Sequence, residues 1–262
     1  MLGTRVFRGM VPRLSHRLLA GENALLARDC WLDRGHPSPV PVLENVPGVG
    51  RFGASVRTIF RYDGTEADGD MRFLAFNHDV DVVRAPVFND TLTRVIWSGD
   101  VRAGETAANA RVKHTSTRIL QGTSFSGGQP QFRNLGVPAP DSAPTIALGD
   151  FTEEDENQTA ENQTWVYTWV TDMNEEGPPS PPSEVVTRGF NTDGSLRAAT
   201  VTITASAPAN VGVTHARLYR SAGTDFLRVG DDIPSPFAAV TDNNLTASLG
   251  EVLITDNWDP PP

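Results

Sequence analysis

Gly48-Val-Gly-Arg-Phe-Gly53 reproduces the spacing G-x-G-x-x-G, which in a dinucleotide-binding turn lets the backbone approach a pyrophosphate. That chemistry needs a strand before the glycines and a helix N-terminus after them. Here Pro47 precedes and a strand pattern follows, so the stretch reads as a glycine-rich lead into a β domain. His78, Asp79 and Asp81 could supply a metal ligand set or an acid/base pair. On a strand, however, Asp79 and Asp81 share a face while His78 points away, and no second His or Glu cluster completes a site. A solvated edge or turn is expected there. Asp63, Asp68 and Asp70 imitate a calcium loop only in composition, without its twelve-residue spacing and closing Glu. Glu153-Glu-Asp-Glu156 reads as a solvated linker.

Nucleophilic chemistry is equally thin. Cys30 is the only cysteine, which excludes an internal disulfide or a multi-cysteine metal site, and its setting, Leu-Ala-Arg-Asp-Cys-Trp-Leu, suits a small buried apolar residue. There is no G-x-S-x-G, and His16, His36, His78, His114 and His215 fall in segments that read as arm, loop or edge strand. Asn157-Gln-Thr and Asn162-Gln-Thr are glycosylation sequons in form alone. The expectation is a protein with no catalytic residues, no cofactor and no metal.

The elements that would have to position any site are β-strands. Over Ser55–Tyr62 the period is two, with Val56, Thr58, Phe60 and Tyr62 on one face and Arg57, Ile59 and Arg61 on the other. Asp-Gly turns follow, then further short runs at 72–77, 80–83 and 94–97. Short strands with Gly and Asp at their corners predict a β-rich body over residues 46–142, of sandwich, barrel or propeller type. Residues 1–45 read instead as an arm: Gly9 and Pro12 break it, a short helix is expected around Glu22–Cys30, and Gly35-His-Pro-Ser-Pro-Val-Pro forbids regular structure. Such a segment has too little core to fold alone.

Residues 121–162 read as a loop and then a boundary, with a second module over 143–262. In it Trp165, Tyr167 and Trp169 alternate with Val166, Thr168 and Val170, and Val201, Ile203 and Ala205 alternate with threonines; Ala216, Leu218 and Arg220 alternate with Arg217 and Tyr219. Roughly six or seven such strands in about 110 residues match an immunoglobulin-like sandwich of the fibronectin type III variety. The run Gly-Pro-Pro-Ser-Pro-Pro-Ser, residues 177–183, satisfies P-x-x-P twice, but it lies between two strand patterns. It is therefore expected to be a stiff connection inside one module rather than a free polyproline ligand.

Charge narrows the partners. The chain carries a formal −10, yet its first 34 residues hold six arginines (Arg5, Arg8, Arg13, Arg17, Arg28 and Arg34) against three acids. A basic arm on an acidic body does not grip phosphates as a whole, and it suits docking on an acidic neighbour such as another copy. Neither a secretory signal nor an apolar run long enough to cross a membrane is present in the sequence.

Several strings resemble, in order, a family of tailed-bacteriophage and prophage virion proteins. They are Phe7-Arg-Gly-Met-Val-Pro-Arg-Leu-Ser, Asn23-Ala-Leu-Leu-Ala-Arg-Asp-Cys, Asp79-Val-Asp-Val-Val-Arg-Ala-Pro with Asp90-Thr, and Leu135-Gly-Val-Pro-Ala-Pro. The series continues with Thr164-Trp-Val-Tyr-Thr-Trp-Val-Thr, Glu175-Glu-Gly-Pro-Pro-Ser-Pro-Pro-Ser, Arg217-Leu-Tyr-Arg, Leu249-Gly-Glu-Val-Leu and Trp258-Asp-Pro-Pro-Pro. The resemblance implies a tail nozzle or tail-tube component, built as a ring of copies beside portal and adaptor proteins, through which DNA passes without specific binding. It implies residence in the virion and no membrane partner. Relatives of this pattern run on into propeller-like sequence, so the resemblance implies a shortened version or the ordered part of a longer protein. The alternative is a tail-associated adhesin or capsid decoration protein that contacts a host glycan or a virion partner through its sandwich.

Overall fold

The computed structural model describes residues 52–62, 72–120 and 130–254, together with the backbone of four two-residue strands nearer the N-terminus. The chain divides into two compact units, Met1–Gly48 and Val49–Pro262. In the first, β1 (Gly9–Met10) pairs in parallel with β2 (Asn23–Ala24), and β3 (Cys30–Trp31) pairs antiparallel with β4 (Ser38–Pro39). The helix expected around Glu22–Cys30 lies outside the described residues except at Asn23–Ala24 and Cys30, which are in these β pairings.

The larger unit is mainly β. An antiparallel hairpin, β5 (Thr58–Tyr62) with β6 (Arg72–Phe76), packs with a sheet of β7 (Asp81–Arg84), β8 (Val95–Ser98), β9 (Lys113–Thr115) and β10 (Arg133–Asn134), ordered β10-β9-β8-β7. A one-turn helix, α1 (Thr117–Leu120), follows β9. The alternation of β5 puts Phe60 and Tyr62 inward, where Tyr62, Leu74, Phe76, Val95, Trp97 and Leu120 form one buried cluster. Among the described residues this sheet ends at β7 on one side and β10 on the other, so it does not close into the barrel the strand spacing allowed. Its strands have two to four residues, too short to wrap a closed sheet.

The remaining strands are β11 (Thr145–Leu148), β12 (Glu161–Gln163), β13 (Trp165–Thr171), β14 (Val186–Arg188), β15 (Ala199–Thr202), β16 (Val213–Ala222), β17 (Asp225–Arg228), β18 (Ile233–Pro234) and β19 (Val240–Asp242). One sheet runs β11-β15-β19; another runs β13-β16-β17 with β18 also on β16; β12 and β14 pair separately. The first two enclose a single core, in which Trp165, Tyr167 and Trp169 meet Ala199, Val201, Ala216 and Leu218. Tyr167 and Trp169 stand edge to face at 5.1 Å, an arrangement the ring quadrupoles favour. The other face of β13 is covered too: Val166 packs with Tyr219 and Leu253. All seven residues of β13 are buried, although the alternating pattern alone predicts one core-facing side.

The proline-rich run completes β13. A strand beside β13 would offer an N–H at every second residue, which proline cannot do. Here only every third residue faces β13. The N–H groups of Gly177, Ser180 and Ser183 donate to the carbonyls of Trp169, Tyr167 and Trp165 at 2.9, 2.8 and 2.8 Å. In return the hydroxyls of Ser180 and Ser183 accept from the N–H groups of Tyr167 and Trp165 at 3.1 and 3.0 Å. The prolines occupy the positions where no donor is needed, and the edge of β13 is closed to further pairing. Because a buried N–H loses its acceptor in either case, Ser180→Ala and Ser183→Ala should each lower stability by about 1–3 kcal/mol in urea unfolding. Midpoints equal to that of the unaltered protein would show that the hydroxyls are dispensable.

Gly177 has a second reason to be glycine. A Cβ there would fall 2.7 Å from Cγ1 of Val137, so the Leu-Gly-Val-Pro segment lies directly on the start of the proline run.

Candidate functional site

Among the described residues, those singled out for chemistry do not converge. Gly53 leads through a turn into β5, so a strand follows the glycine-rich stretch, whose Gly48–Arg51 part lies outside the described residues. Asp63, Asp68 and Asp70 lie outside them as well, as do His16, His36 and the side chain of Cys30. Asp79 is exposed, 3.8 Å from Arg57, and Asp81 is exposed at the start of edge strand β7. Among the described residues no three His, Cys, Asp or Glu side chains gather to hold a metal ion. Glu153–Glu156 is not a linker between modules. It sits between β11 and β12, where Glu153 accepts from the Thr192 hydroxyl and Glu154 bridges to Asn191. Asn157 donates to Asp155 in the same loop, and Asn162 accepts from Thr187 across the β12–β14 pair.

Among the described residues, three networks of charged groups the sequence left unremarked stand out. In the first, Asp100 is buried and accepts from Trp97 Nε1 at 3.1 Å and Arg102 Nε at 2.6 Å; His78 Nδ1 stands 3.5 Å from its other oxygen. Lys113, the one lysine of the chain, is buried beside it and donates to the Asp100 carbonyl at 2.8 Å and to Glu105 at 2.7 Å. Every other cation side chain apart from the histidines is an arginine. Basic contacts on this molecule are therefore planar and forked.

The second network joins the four-stranded sheet to β13. Arg133 of β10 pairs with both oxygens of Asp172, which follows β13, and Arg118 of α1 adds Nε at 3.2 Å. Arg94 reaches Glu175 at 3.3 Å while holding Asp90. Gly212, at φ +87, leaves the space the Arg133 guanidinium occupies. An open cleft of about 600 Å³ lies alongside, lined by Arg118, Phe132, Arg133, Asn210 and Gly212. Its guanidinium groups are committed to Asp172. The Arg133 bonds hold the Asp172 carboxyl below its ordinary range.

His114 lies in this joint, on an inner strand of the sheet rather than in an arm, loop or edge strand as expected of the histidines. It is 4% exposed, and burial, followed by the positive charges of Arg133 and Arg94, pushes its pKa down to about 4 against the pull of Asp172. The misreading has a local cause: β9 is three polar residues long and offers no alternation.

The third network lies inside the two-sheet core. Arg188 and Arg220 have fully buried side chains, and both reach Asp242 Oδ2, at 3.4 and 2.7 Å. Trp165 Nε1 donates to the same oxygen at 3.1 Å. Arg188 also donates to the Asp242 carbonyl, to Gln163 and to the Arg197 carbonyl. Burial, with Arg220 nearby, lowers the Arg188 pKa to about 10 although Asp242 acts to raise it. The signal in the sequence was Arg220, an arginine in phase with Ala216 and Leu218 on the core face. The two partners, 32 and 22 residues away, had none.

On the outer face of the same sheet, Glu176 accepts from Thr168 and Tyr219 at 2.6 Å and from Arg217 at 2.7 Å. Burial, then the Glu176 carboxylate, raises the Tyr219 pKa.

Among the described residues, large apolar side chains are exposed at Ile59, Val185, Leu245, Val252 and Ile254, and at three positions around β7 and the turn after it. Val83 is 57%, Val87 49% and Phe88 91% exposed. The turn is anchored: Asp90 accepts from the N–H groups of Leu92 and Arg94, Tyr62 donates to the Thr93 carbonyl, and Thr117 donates to the Leu92 carbonyl. Phe88 is the one exposed aromatic among the described residues.

No family model matches this chain, and no curated protein matches it.

Proposed function

We propose that the chain is a non-enzymatic structural protein of a tailed-phage virion, in the tail or neck, working as a ring of copies that lines part of the DNA conduit. One observation carries the reading. The strings that resemble the virion family meet one another in building a scaffold: Val137 of Leu-Gly-Val-Pro lies on Gly177, and Ser180 and Ser183 of the proline run bond to Trp165 and Tyr167. Residues shared for a scaffold point to a mechanical role, and residues shared for a reaction would have met around a pocket. The seven strands of the two principal sheets, with their common aromatic core, support the fibronectin III-like reading of this module. The Arg133–Asp172–Arg118 and Arg94–Glu175 pairs would hold that module at a fixed angle to the sheet beside it, as a ring subunit needs.

Mechanically, a surface with net charge −10 repels phosphate, so DNA moves past without being held. Native mass measurement of the purified protein and electron microscopy of particles containing it should show closed oligomers and the protein in the tail. A stable monomer absent from tails would refute the ring. Fluorescence anisotropy with duplex DNA at physiological salt should show at most weak association; nanomolar affinity with a steep salt dependence would refute the passive conduit.

A further inference from the structure

We infer that copies join edge to edge through the β11-β15-β19 sheet, β11 of one copy lying along β19 of the next, a contact that rests on the ring reading above. The module treats its two sheets differently. In the β13-β16-β17 sheet both outer edges are occupied. The proline run bonds along β13, and segment 250–253 bonds along β17, where the Gly250 N–H donates to the Arg228 carbonyl at 2.9 Å and the Leu253 N–H to the Phe226 carbonyl at 2.8 Å. In the other sheet, among the described residues, β11 and β19 pair only with β15, and no further backbone bond reaches Thr145–Leu148, Val240 or Thr241. Edges left open in this way offer their N–H and C=O groups to an added strand.

Geometry makes the partner a second copy. β11 and β19 are each antiparallel to β15, so they run in the same direction on opposite sides of one sheet. A rotation from one copy to the next sets β19 beside β11 in parallel, a head-to-tail contact of the kind that closes into a ring. The register continues across it: Ala147, Thr200 and Thr241 form a row on the outer face, and Ile146, Val201 and Val240 a row against the core. Charge agrees. Segments 143–149, 198–209 and 233–241, which carry these strands as far as buried Asp242, contain no Asp, Glu, Lys or Arg. Open edges usually bear a charge that blocks pairing, and none stands here. Copies that each carry −10 repel one another least where two uncharged surfaces meet.

The test uses the full chain. Amide hydrogen exchange should show peptides over 145–148 and 240–242 protected where native mass measurement finds oligomer, and that protection lost on dilution to monomer. Ala147 and Thr241 are exposed, so Ala147→Lys with Thr241→Lys should leave thermal unfolding unchanged. The pair should weaken association by about tenfold or more, although it lowers the net charge the copies bring together. Ala147→Lys with Thr241→Asp should restore association, because the two positions meet only across copies. If Ala147→Lys disrupts and Thr241→Asp does not rescue, like edges pair about a two-fold axis and the inference is overturned. Undiminished association of the double-lysine variant, or protection confined to other segments, also overturns it and leaves the ring standing on another contact. A sample that is monomeric throughout overturns both.

Discussion

Asp242→Asn is expected to cost about 3–5 kcal/mol of folding stability, the largest loss any single surface-conserving substitution here should produce. The reason lies in what the carboxylate leaves behind. Arg188 and Arg220 are wholly buried and share this one acid, which also receives Trp165 Nε1 and, at Oδ1, the N–H of Asn244. Asparagine keeps the shape and removes the charge, stranding two guanidinium groups where water cannot reach them. Denaturant unfolding followed by tryptophan fluorescence reads the effect directly, because Trp165 lies in the network. The same logic predicts a rescue. Replacing all three ionic residues together, Arg188→Met, Arg220→Met and Asp242→Leu, should recover part of the loss, since no charge is then left buried, while Trp165 Nε1, Gln163 and the Arg197 carbonyl lose their partners. A fully stable Asp242→Asn protein would show that the two arginines find other partners, and the account of the core would fall.

Acid should weaken the protein through His114. An unfolded histidine takes up its proton near its ordinary value of 6.5, whereas buried His114 does so only near pH 4. Between those values the unfolded chain binds a proton that the folded one refuses, so stability falls as pH falls through this window and levels off below it. Above pH 6.5 the group contributes no pH dependence. The full difference is about 3 kcal/mol, taking 1.36 kcal/mol for each pKa unit. Carboxylates titrate near the lower end of the same range, so the measurement is the difference between the protein and its His114→Gln variant, in unfolding free energy from pH 7 to pH 4. The variant should show a flatter curve, and an NMR titration of folded protein should place His114 near pH 4. Parallel curves, or a His114 that titrates near 6.5, would show that the joint is open to water and that Arg94 and Arg133 do not act on the ring.

Both predictions rest on groups that the sequence hid to different degrees. Three strands of the two-sheet module were legible because alternation is a local property: a half-buried strand repeats every two residues, and Trp165–Thr171, Ala199–Thr202 and Val213–Ala222 all carry that period, whereas β11 (Thr145–Leu148) lies in the stretch 121–162 that reads as loop and boundary. The proline run could be placed within a module for the same reason, since strand patterns flank it. Its manner of bonding could not, because the register of Ser180 and Ser183 against β13 depends on where two strands fall in space. His114 escaped notice for want of length, in a strand of three polar residues. The acidic loop Glu153–Glu156 was misplaced because solvated acids look alike in a linker and in a loop, and only its bonds to Asn191 and Thr192 tell them apart.

Composition and period determined a mainly β protein with an acidic balance, a basic first segment and a lone cysteine. These follow from properties each residue carries by itself or shares with its immediate neighbours. The tertiary structure decided which charges are solvent-facing and which are core. Trp165 and Asp242 are 77 residues apart, Arg94 and Glu175 are 81 apart, and Arg133 and Asp172 are 39 apart. An arginine's role depends on the dielectric around it and on the acid that answers it, and chain folding alone brings those together.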